Sequence, residues 1–328
     1  MFGFSKKIVR DPKKMLTDNQ KVIRFLNNNR DKKIILYGAA SRGIRVFYNL
    51  LQNGINKNQI LFCDSNKKKW NTKFLDRKII SIQELLSYPK NVCILISSSM
   101  HYEILPYLNN LGLSNVHYFH SLLFKEQMYE KYELEFLRIM QEIDERRYFD
   151  YEEGYTLYSS MKAVSNLKGS VAEVGVYQGS SAKLLCEMKN NKKLYLFDTF
   201  EGLPTTSSHD EVQSGWLSNT SLESVKQYLS MYSNLSLHQG IFPKTANSIK
   251  DKFCLVHLDT DLYQSTLDAL KFFWPRMVKG GRIITHDYNA GDIGGVKLAV
   301  QKFFRDSPEK IIEVADTQSI IIRCDFKK

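Results

Sequence analysis

The chain has 328 residues, about twice the usual size of one domain, so its length predicts two domains that each bury a core. Hydrophobic residues make up 43% and charged residues 25%, and no stretch holds the roughly 18 to 20 apolar residues that a transmembrane helix needs. The net charge is +11, but the lysines are dispersed, so we expect acidic small molecules and not nucleic acid as partners.

The cysteines and the opening residues indicate the compartment. Cys63, Cys93, Cys186, Cys254 and Cys324 are scattered, form no C-x-x-C pair, and mostly lie in apolar runs. They are predicted to be buried thiols and not disulfides or zinc ligands. The opening MFGFSKKIVRDPKK has neither the apolar segment nor the cleavage site of a secretory signal. We therefore expect a cytoplasmic protein.

Residues 1–125 alternate between strands and helices. A helix over 16–29 is followed by the strand KKIILYG, the helix SRGIRVFYNLLQNG and the strand ILFCDSN. The helix SIQELLSY, the strand NVCILISSS, the helix HYEILPYLNNLG and the strand NVHYF come next. This order predicts a small, parallel, doubly wound Rossmann-like sheet.

Residues 126–160 interrupt this alternation. They are charged, rich in Tyr and Phe, and contain no strand pattern, so they predict a helical connector. Its aromatic residues either pack within the connector, cover the site of the next domain, or form an oligomer interface.

Residues 161–328 form a second α/β domain with stronger strands. Five strands alternate with helices, and KIIEVAD and SIIIRC close the chain as an antiparallel pair. Seven strands in this order are typical of the class I methyltransferase fold, which is also α/β.

The first strand of this domain, VAEVGV, runs into the turn VYQGSS and then a helix. Gly175 and Gly179 would let the backbone approach a ligand, and the helix N-terminus offers free N–H groups. Asp198 ends the next strand about 20 residues later, where an acid can bind both ribose hydroxyls of a nucleoside. The pattern favours a nucleoside cofactor. The alternatives are an ordinary glycine turn and an aspartate that only forms a turn.

Polar side chains follow the next two strands. HLDTDLYQST supplies Asp259 and Asp261, and ITHDY supplies His286 and Asp287. Because neighbouring parallel strands end at one edge of a sheet, these groups should cluster there. Clustered carboxylates need a cation, a proton or a basic partner. Capping of the following helix is an alternative for Asp261.

The second half of the chain resembles the macrocin O-methyltransferase family, whose members methylate sugar hydroxyls with S-adenosylmethionine. The resemblance covers roughly residues 165–305, and LFDTFEGLP with LDTDLYQST is its most specific pair of motifs. It implies a seven-stranded class I fold, S-adenosylmethionine as cofactor, and Asp259 and Asp287 as metal ligands near the acceptor. The residues predicted to bind the cofactor are Glu173, Gly175, Tyr177, Gly179, Ser180, Ser181, Asp198 and Gly240.

One position departs from the family. His286 stands where the family usually has a second acid, and magnesium prefers oxygen ligands. A divalent metal, Mg or Mn, is expected on Asp259, His286 and Asp287, with manganese favoured by the imidazole. His286 is alternatively a general base. His209, in the loop TTSSHDEVQSGW, is a further catalytic candidate over the acceptor, or a solvated loop residue.

The segment GAASRG, from Gly38 to Gly43, with Asp64 makes a similar but weaker pattern in the first domain. It resembles the small Rossmann-like domains attached to bacterial sugar-modifying enzymes. The spacing is not that of a dinucleotide site. We expect this domain to bind a nucleotide or nucleotide-sugar, or to be purely structural and oligomeric.

Together these features predict a metal-assisted sugar O-methyltransferase acting on a surface polysaccharide, a nucleotide-sugar or a glycosylated metabolite, and forming a homo-oligomer. The same metal geometry could serve a non-sugar diol or phenol. A non-catalytic scaffold that binds nucleotide-sugars is the alternative of another class.

Overall fold

The computed structural model describes residues 16–98, 100–119, 132–290, 294–314 and 317–324. The chain divides into two compact units between Glu133 and Leu134, called here the first and the second unit. The predicted domain boundary at residue 125 lies outside the described residues. None of the helices in the described ranges is long and apolar enough to cross a membrane.

The first unit is built on a six-stranded sheet with the order β3-β4-β2-β1-β5-β6. Parallel pairing joins β4, β2, β1, β5 and β6, while β3 runs antiparallel to β4. Its strands are β1 (Ile34–Tyr37), β2 (Ile60–Cys63), β3 (Lys73–Phe74), β4 (Arg77–Ile80), β5 (Cys93–Ile96) and β6 (Val116–His117). Its helices are α1 (Leu16–Asn29), α2 (Ser41–Gln52), α3 (Ile82–Leu86) and α4 (His101–Asn110).

Alternate residues of β1 serve the two faces of this sheet. Ile34 and Leu36 pack in one apolar cluster, and Ile35 and Tyr37 pack in another. Successive side chains of a strand point to opposite faces, so both faces of the sheet are covered. The predicted parallel α/β arrangement is confirmed, with β3 and β4 as strands that the sequence did not reveal.

The second unit holds a seven-stranded sheet with the order β12-β13-β11-β10-β7-β8-β9. The strand β13 runs antiparallel to both of its neighbours, as predicted for the closing pair, and β7 to β11 pair in parallel. This is the predicted class I methyltransferase sheet. Its strands are β7 (Ser170–Val174), β8 (Leu194–Asp198), β9 (Leu235–Gln239), β10 (Phe253–Leu258), β11 (Met277–Thr285), β12 (Ile312–Glu313) and β13 (Ser319–Ile322).

The helices of the second unit include much of the predicted connector. The helix α6 packs against α7 and therefore belongs to the body of this unit. The helices are α5 (Leu134–Glu142), α6 (Tyr151–Ala163), α7 (Ser180–Met188), α8 (Leu222–Tyr228), α9 (Tyr263–Phe273) and α10 (Gly294–Phe304).

The central strand β10 is buried along its whole length because β7 and β11 flank it and helices cover the sheet. A strand in this position needs a continuous apolar run, which FCLVHL supplies with one exception, His257. All five cysteines are free thiols. Four are buried, as predicted, whereas Cys324 is exposed because it lies beyond the last strand of the sheet. Burial raises the pKa of the Cys63 thiol to about 12.

Candidate active site

The glycine turn after β7 is shaped by the neighbouring strand. A Cβ on Gly175 would lie 1.7 Å from the carbonyl oxygen of Asp259, and the φ of Gly175 is +87°. The close passage of the chain after β10 therefore requires glycine at this position. Gly179 caps α7 in the left-handed region, with a φ of +86°. Both glycines thus have a structural reason in addition to the predicted approach of a ligand.

Asp198 holds this turn in place. Its Oδ2 accepts the N–H groups of Val176 and Tyr177 at 2.7 and 2.8 Å, and its Oδ1 accepts the N–H of Phe200 at 2.6 Å. The turn-forming role left open by the sequence is therefore present. A carboxylate offers about four acceptor positions, so a ribose hydroxyl could still share this side chain.

Glu173 lies beneath the turn and not at its surface. The side chain is fully buried, and its Oε1 is 2.8 Å from Nδ1 of His257, the residue opposite it in the β7–β10 register. Glu173 therefore has no exposed surface that a cofactor could touch. The strand histidine His257 is its buried polar partner.

The other predicted cofactor residues lie along the same edge of the sheet. Ser180 and Ser181 are buried in the first turn of α7. The hydroxyl of Tyr177 bonds to the side chain of Asn219, in the loop before α8. Gly240, just after β9, donates its N–H to the carbonyl of Asp198 at 2.9 Å. Because β7, β8 and β9 are parallel, these groups gather at one edge.

A second cluster lies where β10 and β11 end. Leu258 and Thr285 are register partners, so the residues that follow them meet. Nδ1 of His286 is 3.0 Å from Oδ2 of Asp287 and 3.4 Å from Oδ1 of Asp259. The structure thus brings together the three residues that the sequence predicted as metal ligands.

Neighbouring charges and burial shift the pKa values of the groups in this cluster. Burial opposes a charged imidazole, but the carboxylates of Asp259, Asp287 and Glu153 raise the pKa of His286 well above its usual value. Burial raises the pKa of Asp259 to about 6, with His286 opposing the shift and Asp287 adding to it. Burial, with repulsion from Asp287 and Asp259, raises the pKa of Asp261 well above its usual range. The carboxylates of Asp259, Asp287 and Glu153 surround one imidazole and leave excess negative charge for a cation to neutralise.

Asp261 does not cap α9, the role left open for it. The residue before α9, Leu262, makes no capping side-chain bond, and the N–H of Tyr263 instead donates to Oδ1 of Asp210 at 2.7 Å. Asp210 comes from the loop after β8, and its Oδ2 also accepts the hydroxyl of Ser207. Asp210 is a functional candidate that the sequence did not single out, because its partner is distant along the chain.

His209 precedes Asp210 but points elsewhere. It is exposed, and its ring lies against the ring of Tyr263 with centroids 4.4 Å apart. The contacts described for His209 include none of Asp259, His286 and Asp287. The structure therefore places it as an exposed loop residue and does not bring it into the cluster.

Glu153 is a second residue of this site that the sequence did not single out. It lies in the first turn of α6 with 4% of its surface exposed, and its Oε2 is 3.4 Å from Nε2 of His286. Its sequence signal was the capping pair formed with Asp150, which indicates a helix start and not a site.

The donor set fits a divalent metal ion. One ligand atom from each of Asp259, His286 and Asp287 can lie within 4.8 Å of the others. Neither ring nitrogen of His286 has a well-formed hydrogen bond, although both are buried. Two carboxylates with an imidazole suit manganese or a similar transition ion better than magnesium. Across the described parts of the chain, this is the one cluster of its kind.

Comparisons with known proteins agree with the fold. The family model described as macrocin-O-methyltransferase (TylF) matches residues 157–322, and a model described as C2185-like, N-terminal, matches residues 30–119. A curated relative is 29% identical over 139 residues, which cover 37% of this chain and 53% of the relative. It is the 8-demethyl-8-(2,3-dimethoxy-alpha-L-rhamnosyl)-tetracenomycin-C 4'-O-methyltransferase of Streptomyces olivaceus. The chain thus spans about half the length of this relative.

A solved structure gives a similar result. The O-methyltransferase NovP is 20% identical, with a TM-score of 0.50, and the match covers 54% of this chain and 82% of NovP. At this level of identity the likeness concerns the fold alone.

Proposed function

The chain belongs to the macrocin-O-methyltransferase (TylF) family, and on that premise we propose that it transfers a methyl group from S-adenosylmethionine to a hydroxyl group of a sugar. The observation that carries the proposal is the pairing, in one sheet, of the glycine turn held by Asp198 with the acid and imidazole cluster after β10 and β11. The printed name of the curated relative, a 4'-O-methyltransferase of a rhamnosyl compound, supports a sugar as acceptor.

The cofactor is proposed to bind over the turn between β7 and α7. Asp198 would accept the ribose hydroxyls while it holds the turn, and the backbone at Gly240 closes the same edge. The free N–H groups at the start of α7 and the hydroxyls of Ser180 and Ser181 complete this surface. Glu173 was predicted to bind the cofactor, but its burial against His257 leaves it outside this proposed surface.

The acceptor is proposed to bind at the cluster of Asp259, His286 and Asp287, which would hold a divalent ion. S-adenosylmethionine supplies an electrophilic methyl group, and a divalent ion supplies a charge that lowers the proton affinity of a bound hydroxyl. The chain itself contributes position, because the acceptor oxygen must lie in line with the methyl carbon and the sulfur. The end of β10 lies beside the end of β7, and the end of β11 lies beside that of β10, which supports this placement.

The biological acceptor is proposed to be a surface polysaccharide, a nucleotide-sugar or a glycosylated metabolite. The first unit would bind a nucleotide or nucleotide-sugar, or serve in a homo-oligomer. Its glycines also have packing reasons: a Cβ on Gly38 would lie 2.7 Å from the carbonyl of Ser97, and one on Gly43 would lie 2.5 Å from the carbonyl of Gly38.

The test is methyl transfer to a panel of nucleotide-sugars and free glycosides, measured by the formation of S-adenosylhomocysteine. Chelator should abolish activity, and manganese should restore it at least as well as magnesium. Asp287→Ala should raise the metal concentration needed for half-maximal activity by at least about tenfold, since it removes a ligand.

Two results would contradict the proposal in different ways. Full activity in chelator, with no metal in the purified protein, would remove the metal and leave His286 as a general base. Tight binding of S-adenosylmethionine without methyl transfer to any sugar, diol or phenol would favour a non-catalytic scaffold.

A further inference from the structure

The imidazole of His286 has a carboxylate on each side. Nδ1 faces Asp287 and Asp259 at 3.0 and 3.4 Å, as described above, and Nε2 faces Oε2 of Glu153 at 3.4 Å. The side chain of His286 is 13% exposed and that of Glu153 is 5% exposed. Water therefore has little access to the Nε2 side of the ring.

The carboxylate of Glu153 is itself held from two directions. Its Oε2 accepts the N–H of Asp150 at 2.8 Å, within the capping box that starts α6. Its Oε1 accepts the hydroxyl of Thr317, just before β13, at 2.6 Å. A buried carboxylate bound to two separate elements has little freedom to turn away from His286.

We propose that Glu153 is a positioning residue: its Oε2 faces Nε2 of His286 at 3.4 Å, favours the ring proton on that nitrogen, and so directs Nδ1 toward Asp259 and Asp287. The proposal rests on the proposed function, because it gives Nδ1 the task of completing that ligand set. When one ring nitrogen of a histidine donates to a carboxylate, the ring orientation is set and the other nitrogen is a better ligand.

Helix capping alone does not account for this arrangement. Capping explains why Glu153 meets the N–H of Asp150, but that bond can form without a histidine opposite the carboxylate. Burial of Glu153 beside His286 also carries a desolvation cost that an exposed capping acid would avoid. Capping and positioning differ in one measurable respect: only a positioning role makes the protection of the Nε2–H of His286 depend on Glu153.

The test uses the full chain labelled with ¹⁵N-histidine. In chelator, the wild type should show a slowly exchanging Nε2 proton of His286, assigned by its loss in His286→Asn. Glu153→Ala should lose this resonance. In Glu153→Gln the side-chain oxygen can still accept the N–H of Asp150 while the amide group bonds to the hydroxyl of Thr317. This variant should therefore keep the fold and shift the resonance. Glu223→Gln, the same change in the first turn of α8, is the matched control and should leave it unchanged.

Calorimetric titration with Mn²⁺ supplies the second measurement. Glu153→Ala should weaken Mn²⁺ binding by about 10- to 100-fold, the usual effect of removing such a partner, and Glu153→Gln should weaken it less. Glu223→Gln should bind Mn²⁺ as the wild type does.

The outcomes separate this proposal from the proposed function. Absence of the protected resonance in the wild type, or an unchanged resonance in Glu153→Gln or in folded Glu153→Ala, would overturn the positioning role. If the wild type binds no Mn²⁺, the metal part of the proposed function fails. The resonance in chelator still decides the role of Glu153, because it does not depend on a metal.

Discussion

The two sheets share a construction at their carboxyl edges and differ in what surrounds it. In the first unit, Oδ2 of Asp64 accepts the N–H of Ala39 at 2.9 Å and so holds the glycine turn after β1. In the second unit, Asp198 holds the turn after β7 in the same way. An aspartate at the end of the second strand therefore has a structural use in both sheets.

The two sheets differ in the residues that follow their later strands. In the first unit, β5 is followed by Ser97, whose hydroxyl donates to the carbonyl of Gly38 at 2.8 Å and ties the strand end to the turn. In the second unit, β10 and β11 are followed by Asp259, His286 and Asp287. A glycine turn with a distal aspartate is thus a weak indicator of chemistry. Charged groups after the next two strands are a strong one.

The largest effect should come from replacing the glycines at which the backbone passes closest in each sheet. Gly175→Ala, in the turn after β7, places a methyl group 1.7 Å from a backbone oxygen, and Gly43→Ala, in the first turn of α2, places one 2.5 Å from the carbonyl oxygen of Gly38. We expect each to cost at least about 3 kcal/mol of unfolding free energy. Gly215→Ala, also at positive φ but with open space around it, should cost only about 1 kcal/mol.

Denaturant unfolding measures this difference. An equal cost for Gly175→Ala and Gly215→Ala would show that backbone conformation, and not the close passage of the chain after β10, makes glycine necessary at Gly175.

The sequence predicted the strong elements of both units because their patterns are local. The run IILY and the helix over 16–29 agree with the structure, and so does the closing antiparallel pair. The strands β3 and β4 were missed because they are short, carry Lys73, Arg77 and Lys78, and join through Leu75 and Asp76 at positive φ. Charged residues and a tight turn are typical of a loop as much as of an edge hairpin.

The sequence predicted which polar residues lie together where they follow neighbouring strands, and it gave no such indication for residues on other elements. Asp259, His286 and Asp287 meet because parallel strands end together, which the order of strands already implies. Glu153 and Asp210 lie on a helix and a loop, and their partners His286 and Tyr263 are distant in sequence. No spacing rule connects such pairs. Burial of Glu173 was also invisible, because an acid in a strand gives no sign of the histidine opposite it.

A smaller effect separates the two aspartates that hold turns. Asp198→Ala should weaken S-adenosylmethionine binding by at least about tenfold, since it would remove the proposed ribose hydrogen bonds to a charged acceptor and loosen the turn. Asp64→Ala loosens the turn of the first unit and should leave this affinity within about twofold, since no cofactor group is proposed there.

Calorimetry on folded variants decides between the two aspartates. Unchanged affinity in Asp198→Ala would remove that residue from the cofactor site. A comparable loss in Asp64→Ala would show that the first unit takes part in cofactor binding and would end the contrast between the two sheets.

The smallest effects are expected in the loop after β8, at the neighbouring residues His209 and Asp210. His209 is exposed and contacts the ring of Tyr263, so His209→Ala should change kcat and KM by less than about twofold. Asp210 ties the loop to the start of α9, so Asp210→Ala should raise the KM for the acceptor about three- to tenfold while kcat falls less, because the loop is displaced and the cluster is not. Steady-state kinetics with varied acceptor concentration measures both effects.

A loss of kcat in His209→Ala above about tenfold would place the imidazole at the reacting oxygen. Such a result would show that the loop moves when the acceptor binds, since the ring now lies against Tyr263.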